Sequence, residues 1–323
     1  LPGQNITLRT MLNGTEIRRS YSICSIPDEN ELRVAVKLMD KGKFSGFAHT
    51  LLKAGDTLEV LPPSGRFYTP LNASNQKHYL ALAAGSGITP VISLIKAVLT
   101  TEPQSHFTLL YGNKNRSSII FKDQLDALKN KYINRFSLHH LLSREKTDIS
   151  LYHGRLGSAK MEEMNGRLFN LEAIDEIFLC GPQEMIFGVS DWLKSKNYPA
   201  EKIHFELFIS PGQAIGQEVK PTSNQQDTSG QHSLVTIKID GIETEFPLEY
   251  ESKSILDAAI DAGADLPYSC KGGVCATCRA KLLEGKVEMD LNYALEDDEI
   301  ENGYILTCQS HPRTPVVKIS FDE

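Results

Sequence analysis

Four cysteines constrain this chain more than any other feature. Cys270, Cys275 and Cys278 lie in the run Cys-Lys-Gly-Gly-Val-Cys-Ala-Thr-Cys, and Cys308 follows thirty residues later. The spacing C-x4-C-x2-C with a distant fourth cysteine is the ligand pattern of a plant-type [2Fe-2S] cluster. Two irons and two bridging sulfides need four thiolates. Three on one loop set most of the geometry, and a remote fourth closes the site. Gly272 and Gly273 suit a loop that bends tightly and aims its N–H groups at sulfur. A disulfide framework is the weaker reading, because a 323-residue chain with six cysteines has no need of one. Structural zinc usually draws on two paired groups of cysteine or histidine, whereas this pattern is three plus one.

The length suggests about two or three domains. No run of about 18 apolar residues is present, and no charged-then-apolar leader opens the chain. The expectation is a cytoplasmic protein that does not contact a membrane. The chain opens Leu1-Pro2-Gly3-Gln4 rather than with Met, so an N-terminal truncation is expected. The net charge of −7 is unevenly spread. Residues 233–323 hold eight Lys/Arg against eighteen Asp/Glu, a balance of −10, and the remainder holds 26 against 23, a balance of +3. An acidic module of this kind is either a solvated surface or a surface steered toward a basic partner, and it excludes nucleic acid.

Residues 1–75 read as short strands with turns. Asn5–Arg9, Tyr21–Ile23, Leu32–Leu38 and Leu58–Leu61 have strand composition, Asn13-Gly14 is a hairpin turn, and a short helix is expected near Ser45–Leu52. This is an antiparallel barrel pattern. Residues 76–210 alternate strand and helix, as a parallel sheet with crossover helices does. Tyr79–Ala84 is a buried-strand run that feeds Gly85-Ser86-Gly87-Ile88-Thr89-Pro90 and then an apolar-periodic helix. A strand, a Gly-rich turn and a helix N-terminus make a pyrophosphate cradle. Strands at Phe107–Gly112, Phe136–Leu142, Ile174–Cys180 and His204–Phe208 follow, with a helix over 182–196. Ligands of such sheets bind beyond the carboxyl ends of the strands. Residues 211–232 contain no aromatic residue and little aliphatic material, so a linker is expected, spanning roughly 25 Å if flexible. Residues 233–323 open with a hairpin around Asp240-Gly241, followed by a helix capped at Ser254 with Gly263 at its end, the cysteine loop, and strands at Arg279–Leu283 and Gly303–Cys308.

Three motifs carry a family resemblance. Arg19-Ser20-Tyr21-Ser22 resembles the flavin motif of the ferredoxin–NADP reductase family, Gly85-Ser86-Gly87-Ile88-Thr89-Pro90 its nicotinamide-nucleotide loop, and Cys180-Gly181-Pro182 its motif beside the nicotinamide. The whole chain is similar to reductase components of multicomponent oxygenases that carry a C-terminal ferredoxin domain. The resemblance implies a multidomain architecture: a β-barrel flavin domain (1–75, its opening strands missing), an α/β parallel-sheet nucleotide domain (76–210), a linker (211–232) and a β-grasp ferredoxin domain (233–323). It implies FAD, NADPH and a [2Fe-2S] cluster held by Cys270, Cys275, Cys278 and Cys308. Arg19 would hold the flavin pyrophosphate, with Tyr21 against the ring and Ser22 near its reactive nitrogen. Gly42, Phe44 and Ser45 would form a second phosphate loop at a helix N-terminus. Val36, Lys37 and Thr89 would complete the flavin set, and Phe208 would cover the ring unless it is a core residue. Gly85, Gly87, Gly181 and Pro182 would hold the nucleotide. Cys180 would join Tyr21 and Ser22 in catalysis, or serve only as a small buried residue at a strand end. Ser143 and Arg144 resemble the segment that binds the 2′-phosphate in NADPH-using members, and Arg116 is a second candidate cation. The electrons would leave for a di-iron oxygenase component, or for a steroid or aromatic hydroxylase. The reading from another class is a non-catalytic electron-carrier module. His139, His140, His153 and His311 show no ligand spacing and read as ordinary histidines.

Overall fold

The structure, a computed structural model, describes residues 1–208 and 231–323. Strands β1 (Asn5–Leu12) and β2 (Thr15–Ser22) form a hairpin whose turn residues, Asn13 and Gly14, both take positive φ. Helix α1 (Lys43–Thr50) and the two-residue β3 (Glu59–Val60) follow, giving a sheet ordered β2-β1-β3. Its inner face packs Ile6, Leu8, Ile17, Ile23 and Phe44. The strand expected over Leu32–Leu38 is not formed. That segment makes one bridge, Ile23 to Val34, and its ends are open to water, with Leu32 58% and Leu38 57% exposed. Only Val34 and Val36 reach the core, so the segment lacks the paired neighbour that would make it a strand. The sheet is therefore barrel-like but open among the described residues.

The next stretch alternates as its sequence requires. β4 (His78–Ala84), α2 (Ile88–Thr101), β5 (His106–Asn113), α3 (Lys122–Lys131), β6 (Phe136–Leu142), α4 (Ser158–Met164), β7 (Glu176–Gly181), α5 (Gln183–Ser195) and β8 (Ile203–Leu207) succeed one another. The five strands form an all-parallel sheet ordered β6-β5-β4-β7-β8. The chain leaves β4 toward β5 on one side and returns to β7 on the other, so the switch point lies at the carboxyl end of β4. Tyr79, Leu80, Ala81, Leu82 and Ala83 are wholly buried, which explains why β4 is an uninterrupted apolar run. At the opposite end of the sheet the buried Glu102 carboxyl group is fully served. Tyr79 Oη donates at 2.9 Å, Ser105 Oγ at 2.7 Å, Asn75 Nδ2 at 2.6 Å and the Asn72 N–H at 3.1 Å. Four donors offset the desolvation that would otherwise make such a group costly.

These elements belong to one compact unit, residues 1–17 with 21–208, and the second unit comprises 18–20 with the C-terminal residues. The linker expected over 211–232 lies, up to residue 230, outside the described residues. His232 already opens β9 (His232–Ile239), which turns through Asp240 and Gly241, both at positive φ, into β10 (Ile242–Glu249). Then come α6 (Ile255–Asp261), β11 (Arg279–Glu284), β12 (Val287–Met289), α7 (Asp297–Glu301), β13 (Tyr304–Leu306), β14 (Ser310–Pro312) and β15 (Val316–Ser320). Ser254 Oγ accepts the Asp257 N–H at the start of α6, the cap expected from sequence and worth about 1 kcal/mol. The main sheet runs β10-β9-β15-β11-β13, with β15 parallel to β9 and the other pairs antiparallel. Ile255, Leu256 and Ala259 of α6 bury against Val235, Ile237, Leu306, Val317 and Ile319, which is the β-grasp arrangement. Among the described residues no helix is long and apolar enough to cross a membrane.

Candidate functional site

The carboxyl ends of β4, β5, β6 and β7 open onto a cavity of about 810 Å³. Gly85, Ser143, Arg144, Gly181, Pro182 and Phe208, expected from the sequence, line it. The turn after β4 needs its glycines. Gly85 has φ +55 and its carbonyl accepts the Tyr111 hydroxyl at 2.9 Å. A Cβ on Gly87 would lie 2.1 Å from the Cys180 carbonyl oxygen. The turn is thus pressed backbone-to-backbone against the end of β7, and α2 begins beside it without a side-chain cap. The Ile88 N–H turns back onto the Gly85 and Ser86 carbonyls and Pro90 has none, so the helix start offers a ligand little beyond its dipole. Thr89 is buried, its hydroxyl donating to the Ser86 carbonyl at 3.0 Å.

The cavity wall is strongly basic. Lys37, Lys114, Arg144, Arg155 and Lys160 line it against the single carboxylate of Glu184. Lys160 is held by Glu163 at 2.6 Å. Arg155 lies 3.9 Å from Glu184, with both side chains largely exposed. Arg144 has no ion-pair partner among the described residues, and its N–H donates to the Lys114 carbonyl at 2.9 Å. Ser143 Oγ donates to the Asn113 carbonyl at 3.3 Å, while the buried Asn113 Nδ2, near the Tyr111 hydroxyl, has no well-formed hydrogen bond among the described residues. Such an orphaned donor fits a wall built for a polyanionic nucleotide. Arg116 departs from expectation. It is absent from the wall, 70% exposed, and its guanidinium pairs with Glu145 at 3.4 Å. Glu145 also accepts the Arg116 N–H at 2.8 Å, which ties the Ser143–Glu145 turn to the Arg116 turn. Lys37, expected on the flavin side, stands on this wall, near Gly85.

The other flavin-motif residues lie off this cavity. Arg19 is half-buried in β2 and donates to the Arg18 carbonyl at 2.6 Å. The Tyr21 ring packs 5.4 Å from that of Phe44 on α1. Ser45 Oγ accepts the Met39 N–H and donates to the Gly42 carbonyl, closing the turn into α1. A Cβ on Gly42 would strike Ser45 Oγ at 2.4 Å. The Val36 carbonyl is bonded to His49 Nε2 at 2.8 Å. Ser22 Oγ donates to Glu206 Oε2 at 3.2 Å, and Asn5 Nδ2 approaches Glu206 Oε1 at 3.4 Å. Burial pushes the Glu206 carboxyl up to about 7, with the two hydrogen bonds opposing the rise. Glu206 pairs in register with Cys180, which is fully buried beneath the cavity rather than in its wall. Burial, then the charge of Glu206, raises that thiol well above its ordinary range. Cys180 therefore stays a neutral thiol. Glu206, Lys114, Arg155 and Lys160 are the site residues that sequence reasoning missed. A lone carboxylate in the apolar strand Phe205-Glu206-Leu207 was the available signal for the first.

In the second unit the cysteines group as two pairs, Cys270 with Cys275 and Cys278 with Cys308. Among the described residues no three His, Cys, Asp or Glu side chains converge where one ion could sit. Two thiols to each iron of a binuclear cluster match this grouping, and a mononuclear zinc site does not. Lys271, Gly273 and Ala276 take positive φ, curling the loop around the thiols. The Gly272 N–H donates to Cys270 Sγ at 3.3 Å. The Cys275 thiol and the N–H groups of Gly272, Val274 and Cys275 together bring Cys270 below the ordinary thiol range, against the effect of burial. The buried Thr277 hydroxyl, between Cys275 and Cys278 in the chain, acts on the Cys275 sulfur and favours its charged form, against the Cys270 thiol and the burial that raise it. A hydroxyl donor beside paired thiols fits a sulfide-bridged cluster.

Comparison with known proteins places these parts. Family models match in three blocks: an oxidoreductase FAD-binding domain over residues 1–83, an oxidoreductase NAD-binding domain over 81–191, and a 2Fe-2S iron-sulfur cluster binding domain over 237–313. The chain belongs to the ferredoxin–NADP reductase family, in the form that carries a ferredoxin domain, and is an NAD(P)H-dependent oxidoreductase. It is 44% identical over 321 residues to a component of the 1,2-phenylacetyl-CoA epoxidase of Escherichia coli, covering 99% of this chain and 88% of that one. The ferredoxin reductase component of 3-ketosteroid-9-alpha-monooxygenase from Rhodococcus rhodochrous is 33% identical, covering 99% and 87%. Phthalate dioxygenase reductase shares the fold, with a TM-score of 0.54 at 23% identity over 99% of this chain and 88% of that one.

Proposed function

We propose that the chain draws hydride from NADPH and passes electrons singly to the di-iron oxygenase component of a phenylacetyl-CoA epoxidase. The observation that carries the nucleotide choice is Arg144, which stands on the cavity wall beside Ser143 with no ion-pair partner among the described residues. A guanidinium and a hydroxyl together recognise a 2′-phosphate dianion, whereas an acidic residue there would favour the bare ribose diol. The Gly85–Gly87 turn and the start of α2 hold the pyrophosphate. Gly181, Pro182 and Phe208 bound the end of the cavity nearest Cys180 and receive the nicotinamide. Bound flavin supplies the exchange between a two-electron hydride and single electrons, and the cluster stores one electron at a time. Glu206, raised by burial to about 7, shares a proton with solvent near neutral pH within reach of Ser22 Oγ.

The partner assignment rests on the 44% relative, and the 33% relative supports a steroid hydroxylase as the competing partner. Steady-state kcat/KM for NADPH and NADH with ferricyanide tests the nucleotide, and a tenfold preference for NADH rejects it. Co-purification with the oxygenase component of the epoxidase, against steroid monooxygenase as control, tests the partner.

A further inference from the structure

Gln309 follows the fourth cysteine and is 8% exposed. A buried amide this close to paired thiols must satisfy both its donors, and it does so across the site. Nε2 donates to the Lys271 carbonyl at 3.0 Å and to the Cys308 carbonyl at 2.9 Å, and stands 3.8 Å from Cys308 Sγ. Lys271 belongs to the three-cysteine loop and lies 38 residues away in sequence. The Gln309 backbone is fixed as well: its N–H donates to the Leu306 carbonyl and its carbonyl accepts the Asp290 N–H, both at 2.9 Å. Gly273, at φ +72, leaves room for the side chain. A Cβ there would come within 3.2 Å of Gln309 Cγ and 2.8 Å of the Leu291 carbonyl oxygen.

We infer that Gln309 is a positioning residue for the cluster. It clamps the loop bearing Cys270, Cys275 and Cys278 to the segment bearing Cys308, and holds its amide nitrogen 3.8 Å from the Cys308 sulfur. The inference rests on the reading that these four thiols hold a [2Fe-2S] cluster. The positive end of an amide dipole beside a thiolate stabilises the extra negative charge of the reduced cluster, so it raises the potential. The same amide bridges the two pieces of chain that must separate before iron leaves, so it slows cluster loss. A side chain that merely filled space would do neither.

The test uses the full chain reconstituted with iron and sulfide. Gln309→Met keeps the length and removes the donor. Circular dichroism reports the fold, dye-equilibration titration the potential, and visible absorbance under a chelator the rate of loss. The expected result is a native fold, a more negative potential and cluster loss faster by about tenfold or more. Wild-type potential and wild-type loss rate in Q309M overturn the inference. Should Q309M fail to fold, Gln309→Leu decides on the same readouts, with a lowered potential or faster loss supporting and wild-type values of both overturning. If the wild-type chain takes up no iron, the cluster reading itself fails, and the inference with it.

Discussion

Ser22 and Glu206 lie 184 positions apart in sequence, yet the hydroxyl of one donates to the carboxyl of the other at 3.2 Å. The contact joins the end of β2 to β8. Burial lifts the Glu206 carboxyl from 4.5 to about 7. Between those values the folded chain keeps a proton that the unfolded chain has released, so stability falls as pH rises through that window. The ceiling on this effect is on the order of 3 kcal/mol. Glu206→Gln should flatten the pH dependence of thermal unfolding of the flavin-free protein between pH 5 and 8 and raise Tm at pH 8. An unchanged slope would mean that Glu206 is not the titrating group.

Arg144 and Arg116 should separate cleanly. Arg144→Ala removes a cation of the cavity wall and should raise KM for NADPH by about tenfold or more while leaving that for NADH nearly unchanged. Arg116 acts on Glu145, so Arg116→Ala should move KM for NADPH only a few-fold. An equal loss in both variants would place Arg116 on the nucleotide after all.

Gly87 should not tolerate a methyl group. The new Cβ would lie 2.1 Å from the Cys180 carbonyl oxygen, so either the turn or β7 must shift. Overpacking of this sort costs about 1–3 kcal/mol. Gly87→Ala should lower Tm and weaken NADPH binding together, whereas wild-type values for both would show that the two backbones are not in fixed contact.

Cys275→Ser should abolish NADPH-driven cytochrome c reduction while NADPH still bleaches the flavin. Loss of both would mean that the cluster holds the whole chain together rather than serving as its exit.

How far the sequence spoke can be seen residue by residue. The cysteine spacing and Gly85-Ser86-Gly87 were legible because their chemistry fixes backbone shape locally. The turns at Asn13-Gly14 and Asp240-Gly241 were legible for the same reason, since both demand positive φ. The segment Leu32–Leu38 was misread because its composition suits a strand, and composition does not supply a neighbour to pair with. Glu206 was missed because its role depends on Ser22 and Asn5, which only the fold brings to it. Arg116 was misplaced because a cation near a phosphate site looks the same in sequence whether it points at the ligand or at Glu145.

The position of β15 bears on the order of synthesis. It lies between β9 and β11, in the middle of its sheet, although it is made after both of them. A ribosome therefore releases β9, the three-cysteine loop and β11 before the strand that unites them exists. Cys308 emerges just ahead of that strand. Iron offered to the nascent chain would meet three thiols on an unfinished scaffold, so cluster insertion has to wait until β15 is in place. Long-range closure of this kind is slow.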